Sequence, residues 1–123
     1  MNGLSAPAPG AEVAALRATG IGDLATAVPA LRGLRAAFPD RPLALGAPGW
    51  LAPLVRLTGV VDRHRPVAGL AGAWPGPPPY LAVNLHGRGP ESHRLLLAAR
   101  PRRLYAFACA AAGHQDGPDW VED

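Results

Sequence analysis

Short apolar segments alternate along this chain with longer segments of helical periodicity. The apolar segments that predict strands lie at residues 13–18, 43–46, 60–61, 80–85 and 103–109. Strands that alternate with helices are typical of a parallel sheet with helices on both faces. The pattern therefore predicts an α/β fold built on five parallel strands.

The segment that follows Asp23 has the periodicity of an amphipathic helix. Its apolar residues recur at helical spacing, at Leu24, Val28, Leu31 and Leu34. Pro29 conflicts with a helix that continues unbroken from Asp23, because proline lacks the N–H that an interior helical position donates. Either the first turns are kinked, or the regular helix begins near Thr26 and Pro29 lies in its first turn.

Proline and glycine divide the rest of the chain. Residues 50–57 predict a short helix, which Gly59 ends. Residues 66–79 are so rich in proline and glycine that we predict a loop there, in place of a crossover helix. Pro90 is well placed in the first turn of a further helix, which follows the strand at residues 80–85.

The length of 123 residues fits a single domain with its own core. Hydrophobic residues make up 49% of the chain, which excludes disorder of the chain as a whole. We expect a flexible lead over residues 1–11, a folded domain over residues 12–110 and a tail over residues 111–123. The single cysteine, Cys109, excludes an internal disulfide, and its apolar neighbours favour a buried, unreactive thiol.

The charge of the chain limits the classes of partner that it can bind. All twelve basic residues are arginine, and the formal net charge is +3. This charge permits an anionic ligand, but the chain has no nucleic-acid-binding motif and no long basic segment, so no nucleic-acid partner is expected. No apolar segment reaches the ~18 residues of a membrane span, and the N-terminus lacks the charged region of a signal peptide. The sequence predicts a cytoplasmic protein, with peripheral association at the inner membrane face as a compatible location.

The first candidate for chemistry is the turn between the first strand and the first helix. It contains Thr19, Gly20, Gly22 and Asp23. The glycines let the backbone turn tightly and approach a ligand, and the helix start offers unpaired N–H groups and a partial positive charge. Asp23 can act as a general base that takes a proton from a hydroxyl group. Its alternative role is structural, as an N-cap or first-turn acid that stabilises the helix by about 1 kcal/mol.

A second polar turn follows the strand at residues 80–85 and also opens a helix. Its candidate ligand-binding residues are Asn84, His86, Gly87, Arg88 and Ser92. A guanidinium group can bind a phosphate through two hydrogen bonds, and a helix N-terminus favours an anion. The alternative is that Ser92 or Glu91 only caps the helix and that His93 is a solvated helix residue. Open α/β sheets bind ligands at the carboxyl ends of their strands, so the two turns together favour a ligand site.

Other kinds of site are not supported by the spacing of the residues. The first turn lacks the third glycine of the dinucleotide fingerprint and the lysine of a P-loop. A metal site drawn from His64, His86, His93 or Cys109 would lack the usual ligand spacing. Neither a metal nor a cofactor is therefore expected.

The three tryptophans are interpreted as packing residues rather than as sugar-stacking platforms. They are Trp50, Trp74 and Trp120. Trp50 directly follows the second predicted strand and is the one that could face a cleft.

Three segments together resemble the N-terminal half of a family 9 glycosyltransferase, the heptosyltransferase-like group. They are RATGIGDLATAVPALRGLRAAFPD at residues 17–40, APGWLAPLVRLTGVVD at residues 47–62 and YLAVNLHGRGPESHRLLLAARPRRLYAF at residues 80–107. The most specific is the first, in which a strand and a short glycine turn precede Gly-Asp and T-x-x-PAL-R-x-L-R-x-x-FP. The resemblance extends over residues 12–123.

This resemblance implies a GT-B enzyme, in which two Rossmann-like domains face each other across a cleft. Such enzymes transfer a sugar with inversion from a nucleotide-diphosphate sugar to a glycan or lipid-linked acceptor, as in lipopolysaccharide-type synthesis in the cell envelope. By the same resemblance, Asp23 falls on the aspartate proposed as catalytic base, and residues 84–92 fall on a polar loop that faces the cleft. An inverting transfer needs such a carboxylate, and it needs positive groups or helix N-termini near the phosphates.

The chain departs from the family pattern in length. By the resemblance, we expect the second domain of the family, which carries most of the donor site, to be absent from this chain, and we expect residues 117–123 to begin the inter-domain region. We therefore expect little or no transferase activity from the isolated chain. A truncated binding or scaffold domain without catalysis is the alternative from another functional class. A nucleotide-binding oxidoreductase fragment is disfavoured by the missing third glycine and by the lack of an acid after the second strand.

Overall fold

Strands and helices alternate along most of the structure, a computed structural model that describes residues 10–18, 20–70, 72–86 and 90–105. The elements are β1 (Val13–Leu16), α1 (Ile21–Ala37), β2 (Leu43–Ala47), a 3₁₀ helix (Gly49–Leu51), α2 (Ala52–Leu57), β3 (Arg63–Pro66), β4 (Leu81–Asn84), α3 (Glu91–Ala98) and β5 (Arg103–Tyr105). The strands form one sheet in the order β3-β2-β1-β4-β5, and every neighbouring pair is parallel. The predicted α/β fold is confirmed, and the arrangement is Rossmann-like.

The first face of the sheet is covered by α1, the 3₁₀ helix and α2. Its buried cluster includes Val13, Leu43, Leu45 and Val83 from the strands and Leu24, Leu31, Leu51 and Val55 from the helices. Burial of one such aliphatic side chain is worth about 1.5–3 kcal/mol. Because two of these leucines belong to α1, the packing fixes the start of that helix above the end of β1.

The second face is covered by α3 and by the proline-rich segment between β3 and β4. Ala14 is in register with Ala44 on one side and with Ala82 on the other, so three small residues form a row across this face. Trp74 belongs to the same buried cluster as this row. The described residues between positions 67 and 79 contain no helix or strand, which confirms the predicted loop.

β3 lies two residues beyond the apolar pair at 60–61 that predicted it. The strand is Arg63–Pro66 at the edge of the sheet, whereas the two valines are partly buried against the first-face cluster. Arg65 forms an ion pair with the fully buried carboxylate of Glu12, and Arg63 Nε lies 4.0 Å from the same carboxylate. A buried charge needs such partners. The spacing of apolar residues does not reveal that a strand can be held by ion pairs to a buried carboxylate, so the pattern placed β3 too early.

α1 begins at Ile21 and continues through Pro29, so the alternative in which the regular helix begins near Thr26 is wrong. In a regular helix the residue at position 29 would donate its N–H to the carbonyl of Ala25, and proline cannot do so. Both Ala25 and Pro29 are exposed, so water can reach the carbonyl that is left over.

The remaining elements agree with the sequence to within a few residues. The predicted helix at 50–57 is divided into the 3₁₀ helix and α2, and Gly59 follows with a φ of +72°. Residues 106–123, which include Cys109 and Trp120, lie outside the described residues, as do residues 1–9. None of the helices in the described ranges is both long and apolar enough to cross a membrane.

Candidate functional site

The chain changes direction across the sheet at β1. It passes from β1 to β2 on one side, and β4 pairs with β1 on the other. Ligands of open α/β sheets bind at such a switch point, outside the carboxyl ends of the strands. The two polar turns that the sequence singles out follow β1 and β4, and Leu16 is in register with Asn84 at the ends of these strands. The two turns therefore meet.

Hydrogen bonds hold the two turns together. The N–H of Leu85 donates to the carbonyl of Leu16 over 3.1 Å. The N–H of Ala18 donates to Nδ1 of His86 over 3.2 Å. Arg17 Nη1 donates to the carbonyl of Leu85. The spacing between the turns is thus set by main-chain and side-chain bonds beyond the strand ladder.

Asp23 lies in the first turn of α1, with its side chain 44% exposed. The N-cap of this helix is Gly20, which makes no side-chain cap, so Asp23 is not the N-cap residue. Its Oδ1 accepts a hydrogen bond from Arg17 Nη2 over 3.0 Å. The carboxylate is consequently oriented by an ion pair at the switch point while part of it meets solvent.

Arg17 is the residue of the site that sequence reasoning missed. It directly follows β1, and its guanidinium group bonds both turns, at Leu85 and at Asp23. Its side chain is 22% exposed. The sequence did offer a signal, because Arg17 is a charged residue between an apolar strand and a glycine turn. An arginine at the end of a buried strand is close to main-chain carbonyls and to the following turn, so it can bond to them.

His86 contributes a neutral imidazole to the site. Its Nδ1 accepts the Ala18 N–H, which requires that this nitrogen carry no proton. Burial holds the pKa of His86 below its ordinary value of 6.5, the positive charge of Arg17 lowers this pKa further, and Asp23 opposes both effects. Geometry and electrostatics therefore agree on the uncharged ring.

Asn84 and Ser92 are buried, at the end of β4 and in the first turn of α3. Asn84 Nδ2 donates to Ser92 Oγ over 2.8 Å and lies 2.9 Å from His93 Nδ1, and its Oδ1 accepts the His86 N–H over 2.9 Å. His93 is fully buried, so its interpretation as a solvated helix residue is wrong. α3 starts after Pro90 without a side-chain cap, so neither Glu91 nor Ser92 is its N-cap. This network joins the end of β4 to α3.

Of the remaining candidates, the structure describes two glycines. Gly20 and Gly22 have no heavy atom within 4 Å of an added Cβ, and neither has a positive φ, so the space beside them is open. Thr19, Gly87 and Arg88 lie outside the described residues. The described part of the chain contains no group of three or more His, Cys, Asp or Glu that could hold a metal ion.

The arrangement can move a proton from a ligand hydroxyl to Asp23, and the first turn of α1 offers N–H groups to an anion.

Comparison with known proteins does not identify a ligand or a reaction for this site: no protein-family model, no curated protein and no solved structure matches this chain.

Proposed function

We propose that this chain is the N-terminal, acceptor-side half of an inverting GT-B glycosyltransferase of the heptosyltransferase-like type. Its donor is a nucleotide-diphosphate sugar, and its acceptor is a glycan or a lipid-linked glycan of the cell envelope. The observation that carries the proposal is the partly exposed carboxylate of Asp23, oriented by Arg17 at the switch point of the sheet. The resemblance of residues 17–40 to the family motif supports the same role.

In this mechanism Asp23 is the general base. It takes the proton of the acceptor hydroxyl while that oxygen attacks the anomeric carbon of the donor, and the bond to the diphosphate breaks with its electrons leaving on phosphate. Arg17 is a positioning residue, because it holds one oxygen of the carboxylate in place. The first turn of α1, which follows Gly20 and contains Gly22, offers its N–H groups to the negative charge that develops. Thr19, which precedes them in the sequence, is assigned to the same role.

The second turn supplies contacts and support. In this proposal His86 contacts the acceptor or the phosphates. Arg88 and Gly87, which the sequence assigns to the same contacts and to a close approach of the loop, lie outside the described residues. Asn84 and Ser92 act from below, since both are buried and bonded to each other. We therefore assign the direct contacts to His86 and Arg88 and the shape of the turn to Asn84 and Ser92.

Replacement of Asp23 by alanine tests the proposal. In the chain joined to a donor-binding domain, Asp23→Ala is expected to lower kcat by at least ~100-fold, the low end for a general base. Asp40→Ala is the matched control and is expected to keep full turnover. It removes an exposed carboxylate just before β2, at the amino ends of the strands and away from the candidate site. Near-normal turnover of a folded Asp23→Ala variant would leave Asp23 with a structural role only.

A further inference from the structure

Trp50 is 65% exposed, so its interpretation as a packing residue is wrong. Trp74, in contrast, is buried on the second face as expected. A large aromatic side chain left in water is a common mark of a binding surface. The function proposed for Asp23 gives Trp50 no role.

The backbone that carries Trp50 is firmly held. Trp50 is the central residue of the 3₁₀ helix, and its neighbour Leu51 is fully buried in the first-face core. The N–H of Leu51 donates to the carbonyl of Pro48 over 3.0 Å. Binding of a ligand to this indole therefore costs little conformational entropy in the backbone that carries it.

Trp50 forms one wall of a cleft of about 500 Å³ at the carboxyl ends of β2 and β3. Pro48 and Gly49 share its side of the cleft, and residues 66–69 form the other side. That segment is tied to β2 by the bond from the Val67 N–H to the Ala47 carbonyl, 3.1 Å long. Among the residues that the structure describes, those that line the cleft have no ionisable side chain.

The cleft lies at the same edge of the sheet as Asp23. The gap between β2 and β3 is two strand spacings from the gap between β1 and β4, or roughly 10 Å. A glycan whose hydroxyl is at Asp23 can therefore extend a further sugar ring to Trp50.

We infer that Trp50 is a stacking platform for an uncharged sugar ring of the acceptor glycan. The inference rests on the proposed function for the identity of the ligand. The apolar face of a sugar ring suits an exposed indole, and the uncharged lining suits a ring without phosphate or carboxylate. A nucleoside diphosphate is a poorer occupant, because none of the described residues that line the cleft is an arginine that could meet its phosphates.

Indole N–H resonances of the isotope-labelled protein test this inference. Cellobiose and maltose are the probes, and Trp50→Phe assigns the Trp50 signal. We expect a saturable shift of this signal with at least one disaccharide and none with adenosine diphosphate. Saturation transfer to the sugar protons should show that Trp50→Ala weakens binding by at least ~10-fold. Tyr105→Ala, which removes another exposed aromatic side chain at the far edge of the sheet, should bind as the unchanged protein does.

The inference would be overturned by the absence of a saturable shift with either disaccharide, or by a shift with adenosine diphosphate alone. Equal affinity of the Trp50→Ala variant would do the same. Trp50 is exposed, so its variants should fold, and their unfolding midpoints verify this. The readout is binding and does not involve turnover, so it does not depend on Asp23 acting as a base. A failure at Trp50 is therefore distinct from a failure of Asp23 as a base.

Discussion

Arg17 connects the two turns of the candidate site through a single guanidinium group. One nitrogen donates to the carbonyl of Leu85 and another to the carboxylate of Asp23. Hydrogen bonds that involve a charged group contribute about 1.5–3 kcal/mol when they are partly shielded from water. The arginine thus has a structural effect that is measurable without any substrate.

We expect Arg17→Met to lower the free energy of unfolding by about 1–3 kcal/mol, because the Leu85 carbonyl and the Asp23 carboxylate lose a shared donor. Urea denaturation measures the change. Arg32→Met, at an exposed position of α1, is the matched control and should change the stability by less than about 0.5 kcal/mol. Equal effects of the two substitutions would show that Arg17 does not tie the turns together.

His86 makes the site sensitive to acid. Its pKa is lowered in the folded chain, so the unfolded chain binds the proton more readily as the pH falls below about 6.5. The stability that the neutral ring contributes is therefore complete above this pH and is lost as the pH falls through the lowered pKa. A proton on Nδ1 would also oppose the Ala18 N–H.

His86→Asn removes this titration while it keeps an acceptor for the Ala18 N–H. Between about pH 8 and about pH 5, the stability of the unchanged protein is expected to fall more steeply than that of the variant. Chemical denaturation at a series of pH values gives both curves. Parallel curves would mean that His86 titrates alike in the folded and unfolded chains.

At the scale of elements, α1 shows that a helix tolerates an interior proline at an exposed position, where water can bond the carbonyl that is left without a donor. Pro29 interrupts the hydrogen-bond ladder on the solvent side of the helix, while Leu24 and Leu31 keep the opposite side in the core. The burial of these leucines outweighs the missing bond. Sequence rules for proline describe the bond and not this compensation.

Pro29→Ala is expected to stabilise the protein by about 1–3 kcal/mol, because it restores an N–H donor to the Ala25 carbonyl in the middle of a helix. Pro53→Ala is the matched control. Pro53 lies in the first turn of α2, where proline is well tolerated, so its replacement should give no gain. Thermal or urea denaturation of both variants decides the question, and an equal response would contradict this account.

The sequence predicted elements well where one signal dominated. Apolar segments located β1, β2 and β4, and strong proline and glycine content located the loop before Tyr80. β3 was misplaced because its arginines are held by a buried carboxylate far away in the chain, at Glu12. Such a partner becomes visible only when the strands are assembled.

The arrangement of the candidate site was visible from the sequence only in part. The two turns could be placed at one edge of the sheet, because parallel strands all end there. The bonds of Arg17 and the burial of Ser92 and His93 depend on distances between elements. Residue type alone did not distinguish a side chain that faces solvent from one that supports the turn from below.

At the scale of the whole molecule, the described residues between β3 and β4 cover part of the second face of the sheet without forming a helix. Trp74 takes that place, and its ring lies so close to Gly46 that a Cβ there would be 2.6 Å from Cζ3. The glycine in β2 and the indole are therefore complementary in shape. This contact connects the loop to the centre of the sheet.

Gly46→Ala is expected to destabilise the protein by about 1–3 kcal/mol, because the added methyl group forces the indole away from the sheet. Gly33→Ala adds the same methyl group on α1, where nothing lies within 4 Å, and should instead stabilise the helix by about 0.5–1 kcal/mol. Opposite signs in urea denaturation would support the packing of Trp74 on Gly46. A gain in both variants would contradict it.

The pairing of β1 with β4 also sets the order of events as the chain folds. Arg17 and Leu85 are 68 residues apart, and β2 and β3 with their helices leave the ribosome between them. At about 5–20 residues per second, one side of the central strand waits for several seconds before its partner is synthesised. Contacts between such distant segments also form late because closing the intervening loop costs entropy. Asp23 and His86 therefore come together only in the last steps of folding, and a chain that stalls earlier has most of its helices and no site.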